Sequence, residues 1–568
     1  MKTILKLILP IFVACHLTAC LDERMITSLE KSEIYDSKES VESALTGCYA
    51  PLGSSTMYGG SLFEALSCSS GLLTYKSKQP GSNMYEWFSL TILPADNSFH
   101  LPIYTSIFDV IGRTNDLLFN LESCPLDTSF KEEIAGEARF LRANMYFLAA
   151  RIWGPVPLYL EPAHTLEDTY RPREPLASLY KTICDDLEYA WQHMRDVGTQ
   201  RADRPHRWAA KATLAKVYMQ MACILAHDGE PFSNIDFGLT EAECWENCYT
   251  LAKEVHDGDG QNPPPYRLVR PYADLMSIDN QNSQEAIFEI QISKAVPNLV
   301  TQRTIPNQTT YTPLMIPGGS NWGRIRPNRE IFSAHQSRYP GDPRIDASYI
   351  YGEVYYLEGA AQDNGKPLSG KIDVYPLTPG ASTKERMYPY LKKYLDPGFI
   401  SGWSDKNMIA FRYGEVLLML AEAANETNRS DEAIGYINEL LARARYIDGV
   451  EEAAQPADWT TESFVDEEGG PVDRESLRRA ILLERRYELM GELTEWFDVR
   501  RMGIQFFLDN VAGPHNEHFT NADPKVQANM SEYPTEKDAV RRILLWPLPQ
   551  EEINTNPKID DKDQNFGY

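Results

Sequence analysis

The chain has 568 residues, 43% of them hydrophobic and 24% charged, which is enough material for a large core. Its formal net charge of −26 repels polyanions and argues against a nucleic-acid partner, since such binding rests on Lys and Arg neutralising phosphates. No apolar run after residue 20 approaches the roughly 20 residues that a membrane-spanning helix needs.

In chain order, the first element is a basic start at Lys2 and Lys6, an apolar run Ile8–Val13, and Leu17-Thr18-Ala19-Cys20. A short apolar stretch with a charged start and small residues at the cut site predicts a removable export signal over residues 1–19. Leu at minus three and Ala at minus one resemble the bacterial lipobox. That resemblance implies cleavage before Cys20 and diacylation of its thiol, giving an anchor worth about 0.8 kcal/mol per buried methylene. The net charge of −26 becomes −28 once Lys2 and Lys6 leave with the signal, and the lipid is then the only membrane contact. Beyond Cys15 and Cys20 the cysteines are Cys48, Cys68, Cys124, Cys184, Cys223, Cys244 and Cys248. Sparse thiols inside apolar helical patterns read as small buried side chains with few or no disulfides. Cys244 and Cys248 sit four apart on one helix face.

From Glu133 to Ile152, the residues Ile134, Ala138, Leu141, Met145, Leu148 and Ile152 step by three and four, which predicts a helix stopped by Gly154-Pro155. Trp208–Ala222 alternates small Ala209, Ala212, Ala215 and Ala222 with Leu214, Val217, Tyr218 and Met221, a pattern for closely packed helix pairs; its partner runs from Glu241 to Val255. The signature returns at Tyr413–Glu426, Ser430–Arg445 and Glu475–Met490, with polar turns such as Asn425-Glu426-Thr427-Asn428. These look like degenerate tetratricopeptide-type pairs, distant in sequence, that must stack into one superhelix. Between them, from about Gly258 to Lys406, Pro, Gly, Tyr and polar residues replace the periodicity, with one clear strand at Glu285–Ser293. Loops of that length are usually functional. The stretch Glu451–Asp473 reads as a solvated surface insertion. The fold class expected is mainly α: a tetratricopeptide-like helical-pair superhelix with a large irregular loop-rich region and a few short strands.

Several motifs recur in an order that resembles one family. They are Tyr104–Asn115 with Ile107 and Ile111; Glu137-Ala138-Arg139-Phe140-Leu141-Arg142-Ala143 leading to Trp153-Gly154-Pro155-Val156-Pro157; Ala209–Tyr218; and Glu285-Ala286-Ile287-Phe288-Glu289. The C-terminal half adds Phe411-Arg412-Tyr413-Gly414-Glu415-Val416-Leu417-Leu418, Glu484-Arg485-Arg486-Tyr487-Glu488, Trp496-Phe497-Asp498-Val499-Arg500, Trp546-Pro547-Leu548-Pro549 and the ending Gln564-Asn565-Phe566-Gly567-Tyr568. Together they resemble the SusD-like (RagB/SusD) nutrient-binding outer-membrane lipoproteins. The resemblance implies one SusD-like domain over 20–568, with a helical scaffold at about 30–255 and 407–568 and a ligand-binding region at about 256–406. It also implies a cell-surface protein that captures oligosaccharides or polysaccharide and delivers them to a SusC-like TonB-dependent barrel transporter, breaking no bond. Leu21-Asp22-Glu23 after the anchor is compatible with the surface export seen in the family. Some relatives serve peptide import instead, so a peptide-capturing lid is the alternative. Members sometimes carry a structural calcium, but no Asp-rich loop here fixes one, and no cofactor is expected.

Sugar rings have apolar C–H faces edged by hydroxyls, so binders stack aromatic rings on the faces and aim amides or guanidinium groups at the hydroxyls. Two loop segments supply these groups. Tyr75–Trp87 carries Tyr75, Asn83, Tyr85 and Trp87; Tyr311–Arg326 carries Tyr311 and Asn321-Trp322 between Gly319 and Gly323, followed by Arg324. Trp403 is a weaker third candidate, whereas Trp153, Trp208, Trp245, Trp496 and Trp546 lie in helical or family motifs and are assigned to packing. Arg324 and Arg326 bring positive charge into an acidic chain. Signals for catalysis are thin: Gly318-Gly319-Ser320-Asn321-Trp322 lacks the closing Gly of a serine-hydrolase elbow, and no zinc, phosphate-loop or dinucleotide motif occurs. Glu484 and Glu488, four apart on one helix face, read as a structural ion-pair network rather than a hydrolase's acid and base. His515 and His518 read as an exposed polar loop, with no metal site expected. A scaffold that binds only protein partners is the remaining reading.

Overall fold

A computed structural model describes residues 35–568, apart from 76–82, 96–98, 228–234, 259, 261–262, 294–305, 307–308, 311–322, 356–361, 364–365, 368–370, 377–386, 400–403, 449–451 and 466–470. Cys20 and residues 1–19, where an export signal is expected, lie outside the described residues.

The N-terminal helices are α1 (Lys38–Tyr49), α2 (Ser61–Ser69), α3 (Asn83–Phe88), α4 (His100–Ser123), α5 (Thr128–Trp153), α6 (Leu176–His193), α7 (Arg207–Ala226) and α8 (Glu241–Asp257). Their ends follow local chemistry. Asp127 caps α5 by accepting from the Phe130 N–H, and Gly154 ends it at φ +76°, a conformation that favours glycine. Thr240 and Glu243 form a capping box on α8. After the loop-rich region come α9 (Arg329–Arg338), α10 (Pro343–Ser348), α11 (Tyr413–Glu426), α12 (Ser430–Arg445), α13 (Arg474–Glu488) and α14 (Glu495–Arg501).

Helices α4 to α8 pack each on the next, α8 then packs on α11, and α11 lies against α12 and α13. The predicted stacking of sequence-distant pairs is therefore present, and the fold is mainly α. Small side chains permit the close approach: Ala209, Ala212, Ala215 and Ala222 on α7 and Ala421, Ala423 and Ala424 on α11 are all buried. On α5, a Cβ at Gly136 would sit 3.0 Å from the Met194 backbone nitrogen.

Strands are few and short. The predicted strand is β2 (Ala286–Ile290), shorter than the apolar pattern, and it pairs antiparallel with Met408–Arg412 through a register irregularity. The region expected to be loop also holds α9, α10 and two-stranded ladders such as Tyr349–Ile350 with Tyr390–Leu391. Asp342 caps α10 and Pro343 opens it, signals too local to raise an apolar period. The described residues of the 451–473 stretch are mostly exposed or half-exposed, as expected of a solvated insertion, but Trp459 within it is 7% exposed, its N–H accepted by Asn438 Oδ1 at 2.8 Å and its indole N–H by Tyr339 Oη at 3.2 Å. One buried indole outweighs the polar composition around it, because its apolar area is large.

Three of the family-like motifs meet in a buried charge network. Glu488 accepts from Arg412 at 2.8 Å, from Arg344 at 3.1 Å and from Arg443, while Glu484 accepts from Arg344 at 2.5 Å. Glu285 bridges Arg412 at 2.7 Å and Arg443 at 2.9 Å, and Glu492 takes Arg412 at 2.6 Å and Lys393 at 2.6 Å. Burial pushes the Glu488 carboxyl up, but Arg443, Arg412 and Arg344 together hold it well below the carboxylate range. The expected structural reading of Glu484 and Glu488 thus holds. These carboxylates lock α13 to α10, to α12 and to the strand that leads into α11.

The seven cysteines after Cys20 are all free; six are buried, and burial pushes thiols such as Cys48 and Cys223 up to about 12. No helix among the described residues is long and apolar enough to cross a membrane.

Candidate functional site

Two segments more than 200 residues apart, both singled out for their aromatic side chains, are joined at their bases. Strand β1 (Leu73–Tyr75) pairs antiparallel with β3 (Ile325–Pro327), in register Leu73↔Pro327, Thr74↔Arg326 and Tyr75↔Ile325. Asn328 extends the ladder, donating its N–H to the Leu72 carbonyl at 2.9 Å and its side-chain amide to the Gly71 carbonyl at 2.8 Å. The chain therefore leaves Tyr75 beside the point where it arrives at Gly323.

Arg326 is buried and holds that arrival point. Its Nε donates to the Gly323 carbonyl at 2.8 Å, Nη2 donates to Tyr390 Oη at 2.8 Å, and the guanidinium lies 3.9 Å from the centre of the Tyr390 ring. Gly323 has φ +72°, and a Cβ there would meet the Tyr390 ring at 2.6 Å and the Thr310 carbonyl oxygen at 2.8 Å, so only glycine fits. Arg326 is thus a structural pivot rather than a source of charge for a ligand.

Arg324 is half-buried and its side chain hydrogen-bonds the Tyr75 hydroxyl. Burial pushes the Tyr75 phenol up, with the Arg324 guanidinium opposing. The Tyr75 ring stacks near-parallel to Phe88 at 6.2 Å, and half-buried Tyr85 meets Phe88 edge-on at 5.4 Å. Tyr75 and Phe88 are themselves buried, at 7% and 1% exposure, so Tyr75 packs and anchors Arg324 instead of presenting a ring; half-buried Tyr85 and Arg324 are what this edge offers to a C–H face and to hydroxyls.

Trp87 is placed differently from expectation. It is 0% exposed and packs edge-on to Trp546 at 4.5 Å, in a cluster with His100, Trp153 and Trp496, so it presents no face to a ligand. Its helix, α3, has one side against the core, and a residue two positions after Tyr85 on a helix points to a different side. Trp153, Trp208, Trp245, Trp496 and Trp546 are buried as packing residues. Asn83 opens α3, but its side chain, like the residues Tyr311, Asn321, Trp322 and Trp403, lies outside what is described.

His515 departs from an exposed loop. It is buried on the helix Gly513–Asn521, with Nδ1 2.8 Å from Glu330 Oε1, Nε2 2.9 Å from the Ser531 carbonyl, and its ring stacked on Tyr533 at 3.8 Å. Both ring nitrogens are engaged. Among the described residues no group of three or more His, Cys, Asp or Glu side chains is disposed to hold a metal ion. The Arg324–Tyr75 and Arg326–Tyr390 contacts had no sequence signal, since hydrogen bonds between remote segments leave no periodicity.

Comparison with known proteins gives the context. Residues 284–568 match the SusD family, and residues 20–219 match a family described as "Starch-binding associating with outer membrane". A SusD-like protein of Formosa agariphila is 24% identical over 566 residues, covering 94% of this chain and 93% of its own length. A SusD-like protein of Bacteroides ovatus is 25% identical over 351 residues, covering 60% of this chain and 59% of its own. Among solved structures, a SusD homolog from Bacteroides thetaiotaomicron superposes with a TM-score of 0.71 at 18% identity, covering 95% of this chain and 99% of that one. A laminarin-binding SusD-like protein superposes with a TM-score of 0.64 at 20% identity, covering 94% and 100%. On these matches over both halves, and on the helical fold they share with it, the chain belongs to the SusD family.

Proposed function

We propose that this chain is a non-catalytic, cell-surface lipoprotein of the outer membrane, anchored at Cys20 as a single domain 20–568. It binds oligosaccharides or polysaccharide and hands them to a partner SusC-like TonB-dependent transporter. The observation that carries the binding reading is the β1–β3 ladder, which makes the two aromatic loop segments neighbours. Tyr85 and Arg324, held in place by buried Tyr75, contribute to the ligand contact together with Asn83, Tyr311, Asn321 and Trp322. Membership of a family that includes a laminarin-binding relative supports a glycan ligand. The net charge of −26 favours neutral polymers over polyanions at the surface as a whole. The commitment of Glu484 and Glu488 to arginines supports binding without hydrolysis.

The test is affinity electrophoresis and calorimetry of the chain lacking its first 20 residues against a panel of polysaccharides and peptides, with Trp322→Ala and Arg324→Ala alongside. Saturable glycan binding, lost in a folded Trp322→Ala, is the expected result. Binding of peptides alone moves the assignment to peptide import, and release of reducing ends by the pure protein makes it an enzyme. Two further measurements address the cell. Labelled fatty acid should enter the protein and be lost in Cys20→Ala, and a barrel transporter should co-purify from native membranes.

A further inference from the structure

A second cleft, of about 660 Å³, opens between α9, α13, the 455–464 segment and the chain at 506–510. None of the residues assigned to glycan stacking lines it. Its charged lining is dominated by three guanidiniums, from Arg338, Arg479 and Arg486. In a chain of net charge −26, such a patch opposes the overall field.

The charges differ in how they are balanced. Arg479 pairs with Glu475 at 3.0 Å, and Asp458, the carboxylate at the rim, is held by Arg445 at 2.7 Å. Among the described residues neither Arg338 nor Arg486 closes an ion pair: Arg338 hydrogen-bonds Tyr339 and feels Glu484, and Arg486 feels Asp498, only through space. Arg486 donates Nη1 to the Asn510 carbonyl at 3.0 Å and stands 5.4 Å from the Phe506 ring centre, and its buried Nη2 has no hydrogen-bond partner. Burial lowers this guanidinium to about 10, and the opposing pull of Tyr487 and Asp498 only partly offsets it. An unpaired buried charge is unfavourable unless a counter-charge arrives.

The walls add shape. Half-buried Phe464 and Phe506 bring rings to the cleft over the buried Trp459, while Ser463 and Ser476 bring hydroxyls. Rings beside hydroxyl groups suit a sugar ring, and a planar guanidinium suits a planar carboxylate. The lining comes from helices and a turn segment, without an open strand edge on which an extended peptide would pair.

We infer that this cleft is a second binding site, separate from the β1–β3 loops, and that it takes the carboxylate of a uronic-acid sugar, with Arg486 and Arg338 on the oxyanion and half-buried Phe506 against the ring. The inference goes beyond the neutral-glycan reading and stands without it, since it shares no residue with that site. Acidic sugars would then be held here while the surface as a whole disfavours acidic polymers.

The test is calorimetric titration of the full chain in mild detergent with methyl β-glucuronide, methyl β-glucoside, inorganic sulfate and a tripeptide with a free C-terminus. Expected is saturable glucuronide binding, at least tenfold weaker for the glucoside and for sulfate, and weakened as ionic strength rises. Arg486→Gln should weaken it at least tenfold. Because Arg486 also supports the Asn510 turn, Arg338→Gln, at an exposed position, is the second variant and should weaken binding three- to tenfold while folding normally. Trp322→Ala should leave glucuronide binding unchanged, which separates this site from the loops. The inference is overturned if glucuronide does not bind, if Arg338→Gln binds it as the parent does, if glucoside or sulfate binds equally well, or if only the peptide shows the arginine dependence.

Discussion

Replacing Glu488 by Gln removes the carboxylate at the meeting point of three buried guanidiniums, Arg344, Arg412 and Arg443, and leaves every other atom nearly in place. Each of these three interactions is a charge-assisted hydrogen bond in a site closed to water, where a pair about 4 Å apart is worth about 4 kcal/mol at an effective dielectric of about 20. The three do not add, because Glu285, Glu484, Glu492 and Asp342 continue to neutralise the same arginines. The expected loss is that of breaking one buried ion pair, about 3–5 kcal/mol. Glu484→Gln, which faces Arg344 alone, should lose less, about 1–3 kcal/mol. Urea unfolding at pH 7, followed by Trp fluorescence, measures both, and the glycan affinity of the folded fraction should match the parent. A Glu488→Gln protein within about 1 kcal/mol of the parent would refute the network as a structural lock. Loss of binding or of a hydrolytic activity at unchanged stability would assign the carboxylate to function instead.

Gly414→Ala should destabilise by about 1–3 kcal/mol, because its Cβ would collide with Arg412 Nη1 and sit 3.1 Å from Glu285 Oε1, forcing the network apart. The pH profile of stability should have two limbs. On the acid side, burial pushes the Asp342 carboxyl up, but Arg344 and His335 outweigh it and hold the group at about 2 instead of 3.8, so about 2 kcal/mol is present above pH 4 and is lost as the pH falls through 2. On the other side, burial raises Glu495 from 4.5 to about 7, against the opposing Gly491 N–H. The native state therefore holds a proton that the unfolded chain releases, and about 3 kcal/mol is lost as the pH rises from 4.5 to 7; Glu495→Gln should flatten that limb. Trp87→Ala should cost about 3–5 kcal/mol and reduce ligand binding only in proportion to unfolding, whereas Trp322→Ala should keep the parent's denaturation midpoint and lose binding.

Helices α11 and α12 begin and end where the apolar period and the polar turn at Thr427-Asn428 put them, and α5 ends at the expected Gly154. These features are local: side chains three and four apart share a face, and a glycine at positive φ stops a helix whatever lies around it. The same locality made Glu484 and Glu488 readable as a charge motif on one helix face, although which arginines they meet was not. Arg344 belongs to α10 in a stretch read as loop, and Arg443 comes from the far end of α12.

Composition misled wherever one side chain's surroundings mattered more than the average of its neighbours. Trp459 lies in a polar stretch yet is buried, and Trp87 lies in a Gly, Ser and Pro setting yet fills the space beside Trp546. Aromatic character was legible in both; exposure was not. The candidate residues Tyr75, Tyr85 and Arg324 could be named from their chemistry, but their adjacency came from the β1–β3 pairing of segments more than 200 residues apart. Backbone pairing, burial and charge compensation are properties of the assembled chain, set by which surfaces exclude water from one another. Helix positions and the charge excess are written in runs of neighbouring residues, and so they precede any fold.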